Sequence, residues 1–184
     1  MKMLRLLILL IIVVSMSSCL TVEKKEYTFV FTGETSGILT IKYVNIMSSM
    51  EDGEDVSAQD FDDLINTYYQ GYQLEEDYPD GRIIDKRLYV ENDQLCAMLT
   101  IEFLELKAAR LYQHTEKGPV MFCIKSTFDG EEYESSNGDY GGSVMPVVFW
   151  PYEETNLKMT TSIMPPDEST LSLVWRYKRW EENH

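Results

Sequence analysis

Three cysteines are the residues in this chain best suited to covalent chemistry: Cys19, Cys96 and Cys123. Cys96 and Cys123 both fall on the mixed polar and apolar faces of predicted strands. A disulfide between them is therefore geometrically allowed if those strands are neighbours in an oxidising compartment. The alternative is two buried free thiols that pack as small apolar groups.

Cys19 follows a segment with the three-part layout of an export signal. Residues 1–5 form a short basic start, Leu6–Val14 is an unbroken run of nine apolar residues, and Ser15–Ser18 is rich in small residues. The apolar run is about half of the roughly 20 residues that a permanent membrane helix needs. We therefore expect residues 1–18 to be a cleaved signal peptide.

The residues around the cleavage point carry a resemblance. Met16-Ser17-Ser18-Cys19 resembles the lipobox of bacterial lipoproteins, with Met16 at a position where Leu is more usual. The resemblance implies cleavage after Ser18, diacylglycerol on the Cys19 thiol and usually a fatty acid such as palmitate on the new amino group. Because Leu20 follows, with no Asp there, it also implies the periplasmic side of the outer membrane. We expect residues 19–26 to be a lipidated tether and residues 27–184 to be one domain.

Other chemistry finds little support in the sequence. The two histidines, His114 and His184, are scattered and have no metal-ligand spacing. The acidic stretches Glu51–Asp55 and Asp129–Glu134 lack calcium-loop spacing and are interpreted as solvated loops. No phosphate-binding loop, nucleophile elbow or Cys/His pair is present. We therefore expect no enzyme activity, metal or cofactor.

Aromatic residues suggest a binding surface in two places. Tyr68, Tyr69 and Tyr72 cluster at the end of the predicted helix, and Trp150, Tyr152 and Trp180 lie in the C-terminal third. Exposed aromatic surfaces bind protein partners or sugars. The alternative is that these side chains belong to the core or pair across strands.

The clearest structural motif is a hairpin with Asn92-Asp93 as its two-residue loop. Residues whose numbers sum to 185 then face each other, which puts an apolar row on one side and a mixed row on the other. The apolar pairs are Val90 with Leu95, Leu88 with Ala97, and Ile84 with Ile101. Lys86, opposite Leu99, is the exception on the apolar side.

The remaining pattern indicates strands joined by turns and one helix. A helix is predicted at Ala58–Gln70, because Phe61, Leu64, Ile65 and Tyr68 make one apolar face. Strands are predicted at Tyr27–Thr32, Ile38–Met47, Val120–Lys125, Val144–Trp150, Leu157–Ile163 and Leu171–Tyr177, in addition to the hairpin. We expect a mainly β (α+β) fold: an antiparallel sheet or sandwich of about seven strands with one packed amphipathic helix.

Charge narrows the choice of partners. The net charge is −15, and removal of residues 1–18 with Lys2 and Arg5 makes it −17. Such a charge repels nucleic acid and anionic headgroups, so membrane contact would come from the N-terminal lipid. We expect a non-enzymatic binding or scaffolding lipoprotein of the cell envelope with an envelope protein as partner. The alternatives are a glycan- or small-ligand-binding module and, third, an envelope hydrolase.

Overall fold

A computed structural model describes residues 19–124 and 130–184. The strands in these ranges are β1 Leu20–Phe31, β2 Gly37–Ser49, β3 Arg82–Glu91, β4 Gln94–Phe103, β5 Leu111–Gln113, β6 Val120–Cys123, β7 Glu132–Ser136, β8 Asp139–Tyr140, β9 Val147–Trp150, β10 Asn156–Ser162 and β11 Thr170–Ser172. The helices are α1 Ser57–Asp63, α2 Gln73–Asp77 and α3 Val174–Glu181. Leu64–Tyr69 is π-helical and Leu106–Ala109 is a 3-10 turn. The predicted signal peptide lies outside the described residues.

The strands form two antiparallel sheets. The large sheet has the order β3-β4-β2-β1-β10-β7, with β11 paired to the last residues of β2. The small sheet has the order β5-β6-β9-β8. The prediction of a mainly β, antiparallel fold is confirmed. The described strands outnumber the seven predicted because several are only two to five residues long.

The two sheets pack face to face over an aromatic core. Tyr27 and Phe29 of β1 face Phe122 of β6 and Trp150 of β9. The ring of Phe29 lies 6.0 Å from that of Phe122 and 6.4 Å from that of Trp150. Each such pair contributes about 0.5–1.5 kcal/mol beyond its buried area. This sandwich core covers one part of the inner face of the large sheet.

The helices cover another part of that sheet and form a second core. Phe61, Leu64 and Ile65 of the first helical segment pack with Ile46 of β2 and with other residues of the cluster. Those residues are Leu95, Leu173 and Tyr177. Tyr43 of β2 contacts both cores. The sandwich core and the helical core therefore cover neighbouring parts of the same sheet. We call the boundary between them the seam.

A change in the alternation of inward-facing residues along β2 lets this strand contribute side chains to both cores. Leu39 and Ile41 point into the sandwich core, whereas Ile46 points into the helical core, so the parity of the inward residues changes between them. Asn45 lies at the change and has a φ of 57°, in the left-handed region that Asn tolerates better than most residues. Its amide donates to Glu23 of the paired strand at 2.8 Å.

The predicted hairpin register is confirmed from the turn back to Asp85. Asn92 and Asp93 have φ values of 51° and 59°, as a two-residue type I′ turn requires. Pairs from Glu91 opposite Gln94 to Asp85 opposite Thr100 follow the predicted sum. The prediction is wrong for Ile84, because a bulge shifts the register and brings Ile83 opposite Ile101.

The predicted helix is confirmed as a helical run from Ser57 to Tyr69 whose second half is π-helical. The predicted strand Leu171–Tyr177 is wrong beyond β11. Leu173, Tyr177 and Trp180 repeat at helical spacing, and they bring one face of α3 onto the helical core. The predicted strand residue Lys125 lies outside the described residues.

The predicted tether over residues 19–26 is also wrong. From Leu20 onward these residues belong to β1, which pairs with β2 on one side. From Lys24 onward, β10 pairs on the other side. Satisfying backbone hydrogen bonds on both sides fixes this segment in the sheet. Among the helices of residues 19–124 and 130–184, none is long and apolar enough to cross a membrane.

Candidate ligand-binding cleft

A cleft of about 350 Å³ opens at the seam between the two covers of the large sheet. Most of its walls are aliphatic, and two tyrosines, Tyr43 and Tyr68, add to them. The aliphatic side chains are those of Leu20, Val22, Ile46, Leu64, Leu74, Ala97 and Ile163. Its charged residues are Lys25, Asp77 and Glu131. An apolar recess with a few polar groups is the usual form of a small-ligand site.

The helical wall depends on the π-helical segment. Leu64 and Tyr68 are four residues apart, so both point from one face of the helix into the cleft. The N–H of Gln70 donates to the carbonyl of Ile65 at 2.8 Å, which is the i to i+5 bond of a π-helix. Such segments are rare and occur frequently at functional sites.

Glu131 forms the polar end of the cleft and is only 3% exposed. Its carboxylate accepts hydrogen bonds from Lys25 Nζ, from the Tyr27 hydroxyl at 3.1 Å and from the Thr161 hydroxyl at 3.0 Å. Three donors compensate for the removal of this carboxylate from water. The carboxylate joins residues of β1 and β10 to the chain that precedes β7.

Lys25 reaches Glu131 from β1 and is itself buried. Burial lowers the pKa of Lys25, and the neighbouring Glu131 carboxylate partly offsets this effect. The ammonium already donates to Glu131. A ligand in the cleft would therefore meet a compact polar surface with little net charge at this end. Burial also raises the pKa of Tyr43 on the adjacent wall, so its hydroxyl stays protonated and able to donate.

Arg110 fixes the wall that α2 contributes. Its Nη2 donates to the carbonyl of Asp77 at 2.9 Å, and its guanidinium lies 4.3 Å from the ring centre of Tyr78. Arg110 adopts a left-handed backbone conformation with φ of 58° at the end of the 3-10 turn. These contacts fix the backbone at Asp77, whose carboxylate accepts a bond from Gln73 Nε2 at 3.2 Å and lies at the side of the cleft.

A second, more polar cleft of about 590 Å³ lies among three turns at one end of the sandwich. It includes Glu34 after β1, Glu116 and Lys117 after β5, and Tyr152 and Glu153 after β9. Its side chains come from turns, and most of them are exposed. Exposed, solvated carboxylates of this kind give no specific ligand geometry.

Cys19 lies at the start of β1, directly against the folded body. Its carbonyl accepts a bond from the N–H of Ser49 at 2.8 Å, and its own N–H donates to Asp60 Oδ1 at 3.0 Å. Burial, Asp60 and Glu51 raise the pKa of the Cys19 thiol. The structure therefore leaves no spacer between the predicted lipidation site and the domain.

No disulfide joins Cys96 and Cys123, so that alternative of the sequence analysis is wrong. Cys96 is on β4 of the large sheet, where its neighbours Leu95 and Ala97 belong to the helical core. Cys123 ends β6 of the small sheet, next to the core residue Phe122. Because side chains alternate along a strand, each cysteine points to the outer face of its own sheet, and the sandwich separates them.

The structure places the six aromatic residues of the predicted binding surface in different surroundings. Trp150 is completely buried in the sandwich core. Tyr69 and Trp180 pack edge to face at 6.1 Å beside the helical core, and Tyr72 is 78% exposed nearby. Tyr152 belongs to the second cleft. Only Tyr68 of this set lines the apolar cleft.

Two residues central to the cleft were missed in the sequence. Lys25 lies in the charged run Glu23–Glu26, but it alternates with Tyr27 and Phe29, and this alternation indicates the same inward face. Glu131 carries no such signal, because it is one acid among several between Asp129 and Glu134. The interpretation of this stretch as solvated is wrong at Glu131, whereas Asp129 lies outside the described residues.

Metal binding gains no support from the geometry. In the part of the chain that the structure describes, no three His, Cys, Asp or Glu residues lie close enough to hold a metal ion. His114 is exposed, and His184 stacks on Trp180 at 4.7 Å.

No protein-family model, curated protein or solved structure matches this chain.

Proposed function

We propose that this protein is a lipid-anchored, non-enzymatic binding protein of the bacterial cell envelope, attached through Cys19 on the periplasmic side of the outer membrane. Its ligand is a small amphipathic molecule that occupies the cleft at the seam. The observation that carries this proposal is the aliphatic cleft with the buried Lys25–Glu131 pair at one end. Apolar walls suit the body of such a ligand, and the polar end suits its head group.

The charges favour a neutral or cationic head group. Lys25 and Glu131 balance each other, and the remaining charged residue of the lining, Asp77, has the Arg110 guanidinium beside its backbone carbonyl. The chain as a whole carries 31 acidic and 16 basic residues. The overall field therefore opposes an anionic ligand. Alcohols, amides and amines with an apolar chain fit this chemistry.

A fluorescence experiment tests the ligand class. The neutral probe N-phenyl-1-naphthylamine should brighten when it enters the cleft, and decanol, decylamine and decanoate then compete with it. We expect decanol and decylamine to displace the probe at least about tenfold more effectively than decanoate, because one unfavourable charge contact of 1.4 kcal/mol gives that factor. Preferential displacement by decanoate would contradict the charge argument.

A pair of variants tests whether the probe occupies this cleft. Ile163 lines the cleft, and the next residue, Met164, does not. Both hold the sheet through backbone bonds to β1, at 2.9 and 3.2 Å respectively, which a side-chain change retains. We expect Ile163→Trp to fill the cleft and abolish probe binding and Met164→Trp to bind as the wild type does. Equal binding by both variants would refute the proposed site.

The anchor has its own test. Cells fed a fatty-acid analogue should incorporate label into the wild-type protein and into Cys123→Ala, but not into Cys19→Ala. The Cys19→Ala protein should also leave the membrane without detergent. Label that persists in Cys19→Ala would defeat the proposal of a lipid on that thiol.

One observation favours a protein partner as a second binding role. Val144 is 99% exposed and Met145 is 50% exposed in the turn between β8 and β9. These two adjacent side chains form a small exposed apolar surface at a loop tip, on which a protein partner can pack. Capture of a stoichiometric envelope protein by the wild type, and its loss with Val144→Ser/Met145→Ser, would support this role. Unchanged capture by the variant would exclude this turn.

A further inference from the structure

Cys19 and the apolar cleft are close neighbours in the fold. The next residue of the chain, Leu20, lines the cleft, as does Val22. Two backbone bonds fix the position of Cys19: its N–H donates to Asp60 Oδ1 at 3.0 Å, and its carbonyl accepts a bond from the N–H of Ser49 at 2.8 Å. A group attached to this residue therefore starts at a fixed point beside the cleft.

The first helical segment leads from Cys19 to the same cleft. Asp60, which holds the N–H of Cys19, and Leu64, which lines the cleft, are four residues apart on one helical run. Residues at this spacing lie on the same face of a helix, with about 5–6 Å between their Cβ atoms. Cys19 therefore contacts the helix about one turn away from the wall of the cleft.

The cleft suits a hydrocarbon chain in size and in charge. Its volume of about 350 Å³ accommodates on the order of ten methylene groups, taken at roughly the 30 Å³ that a water molecule occupies in the liquid. The Lys25–Glu131 pair is balanced, and an acyl chain in an ester or amide linkage carries no charge that would disturb it. Each methylene that leaves water strengthens binding by a factor of about four.

We propose that the cleft is occupied by an acyl chain of the lipid that this protein itself carries at Cys19. The proposal rests on the proposed function, which supplies both the lipid and the apolar site, and it adds that the anchor is also the ligand. The resemblance to lipoproteins implies three acyl chains, two in the diacylglycerol and one on the amine. One chain in the cleft leaves two for the bilayer, and two chains are enough for stable anchoring.

Tethering favours the protein's own chain over a free lipid. A chain attached beside its site has an effective concentration in the millimolar range, which a sparingly soluble lipid in water does not reach. The bilayer competes for the same chain, because its interior is as apolar as an aliphatic side chain. The cleft therefore holds the chain most strongly when the protein is away from a membrane, where an exposed chain would drive self-association.

The experiment uses the mature chain, residues 19–184, with Cys123→Ala, so that Cys19 reacts and the fully buried Cys96 does not. N-dodecyl iodoacetamide attaches a dodecyl chain to the thiol through a thioether, and iodoacetamide itself is the control without a chain. We expect the affinity for N-phenyl-1-naphthylamine to fall at least about tenfold with the dodecyl chain and to stay unchanged in the control. Equal binding by both proteins would overturn the proposal and leave the ligand site of the proposed function intact.

Attachment at a distant thiol is the matched control. In Cys19→Ser the same reagent modifies Cys123, which points to the outer face of the small sheet, away from the cleft. A chain at this position does not reach the cleft of its own molecule, so we expect dilute protein to bind the probe as the unmodified chain does. An equal loss of affinity from both attachment points would overturn the proposal, because the effect would then not depend on a chain that starts beside the cleft.

A second measurement needs no probe. With the dodecyl chain on Cys19, the protein should sediment as the unmodified protein does, because the cleft shields the chain. The same modification in Ile163→Trp should cause self-association, since the indole fills the cleft, whereas Met164→Trp should behave as the wild type does. Self-association of all three modified proteins would overturn the proposal.

The outcomes distinguish this proposal from the proposed function. If the unmodified chain does not bind the probe, the site for free ligands fails, and sedimentation alone judges the tethered chain. If mass spectrometry of the native protein finds no lipid on Cys19, the anchor and this proposal fail together. If the lipidated native protein instead releases one equivalent of a non-covalent lipid on extraction with organic solvent, a free lipid fills the cleft. That result overturns this proposal and supports the ligand site.

Discussion

Lys25 Nζ lies 2.5 Å from Glu131 Oε1 inside the protein, at the meeting point of the two sheets and the cleft. Both side chains are almost inaccessible, with 11% and 1% of their surfaces exposed. Removing two charges from water costs several kcal/mol for each ion, and their mutual attraction offsets this cost only while both are present. The stability of the fold therefore depends on the presence of both residues.

We predict that Lys25→Met lowers the free energy of unfolding by about 3–5 kcal/mol, because it leaves the Glu131 carboxylate without its cation. The double variant Lys25→Met/Glu131→Gln should be less destabilised than Lys25→Met alone, since the buried charge is then gone. Urea unfolding monitored by tryptophan fluorescence measures both values.

The exposed pair Arg82–Glu102 is the matched control. Its nitrogen and oxygen atoms lie 2.6 Å apart, but 71% of the Arg82 side chain is exposed. Arg82→Met should change stability by less than about 1 kcal/mol. If Lys25→Met/Glu131→Gln lost as much stability as Lys25→Met and Glu131→Gln lose together as single variants, Lys25 and Glu131 would not be energetically coupled.

Buried tyrosine makes the protein sensitive to alkali. Burial raises the pKa of Tyr78 to about 12; Arg110 opposes this shift, and Glu131 and Asp77 add to it. In the unfolded chain the tyrosine ionises near pH 10. The contribution of Tyr78 to stability is therefore complete below pH 10 and is lost between about pH 10 and 12.

We predict that Tyr78→Phe reduces this alkaline loss by about 1.4 kcal/mol at pH 11, which is about half of the full effect of the raised pKa because pH 11 lies midway between the unfolded and folded pKa values. Burial also raises the pKa of Tyr27 and Tyr43, so some alkaline sensitivity remains in the variant. Urea unfolding at pH 8 and pH 11 gives the difference. Tyr72→Phe, at a 78% exposed position, should show the same loss as the wild type.

The sequence predicted the strands best where one face is buried and the turn is fixed. Asn92 and Asp93 specify a two-residue turn, and the apolar row behind them sets the register. The register failed at Ile84, because a bulge depends on how the strand must bend over its neighbours and not on local composition. The strands that the sequence did not predict, β5, β7 and β8, are two to five residues long and carry few alternating apolar residues.

The cleft was less predictable than the fold. Its walls come from β1, β2, β4, the π-helical segment, α2, the chain before β7 and the chain after β10, so no short sequence motif contains it. Lys25 shares the alternation of β1, but Glu131 becomes interior only because Lys25, Tyr27 and Thr161 supply donors from distant positions. Tertiary contacts of this kind have no local sequence signature.

The bulge gives a test of the edge strand. Ile84 is 45% exposed, whereas Ile83 packs against the sandwich core. We predict that Ile83→Ala costs about 1–3 kcal/mol, somewhat less than a fully buried isoleucine, and that Ile84→Ala costs less than about 1 kcal/mol. Urea unfolding distinguishes them. A larger loss of stability for Ile84→Ala than for Ile83→Ala would indicate that Ile84 is the buried residue, as the uninterrupted register requires. That result would contradict the bulge.

Lys86 is the one polar residue on the apolar row of the hairpin, and its contacts explain its position there. Its Nζ donates to the carbonyl of Gly71 at 2.8 Å, to the carbonyl of Tyr68 at 3.3 Å and to Glu75 Oε2 at 2.9 Å. Carbonyls at the end of a helix lack partners within it, and a cation there satisfies them. The long side chain therefore extends along the apolar row of β3, and its ammonium binds the carbonyls at the end of the π-helical segment.

We predict that Lys86→Met destabilises the protein by about 1–3 kcal/mol, because the two carbonyls and the carboxylate lose their donor. Amide hydrogen exchange should accelerate most between residues 66 and 78. Tyr68 and Leu74 belong to this stretch and line the cleft, so binding of N-phenyl-1-naphthylamine should weaken as well. Arg87→Met, on the opposite face of the same strand, is the control and should leave exchange in this stretch unchanged. If both variants exchanged alike, the helix end would be held by packing alone, and the ammonium of Lys86 would have no part in shaping the cleft.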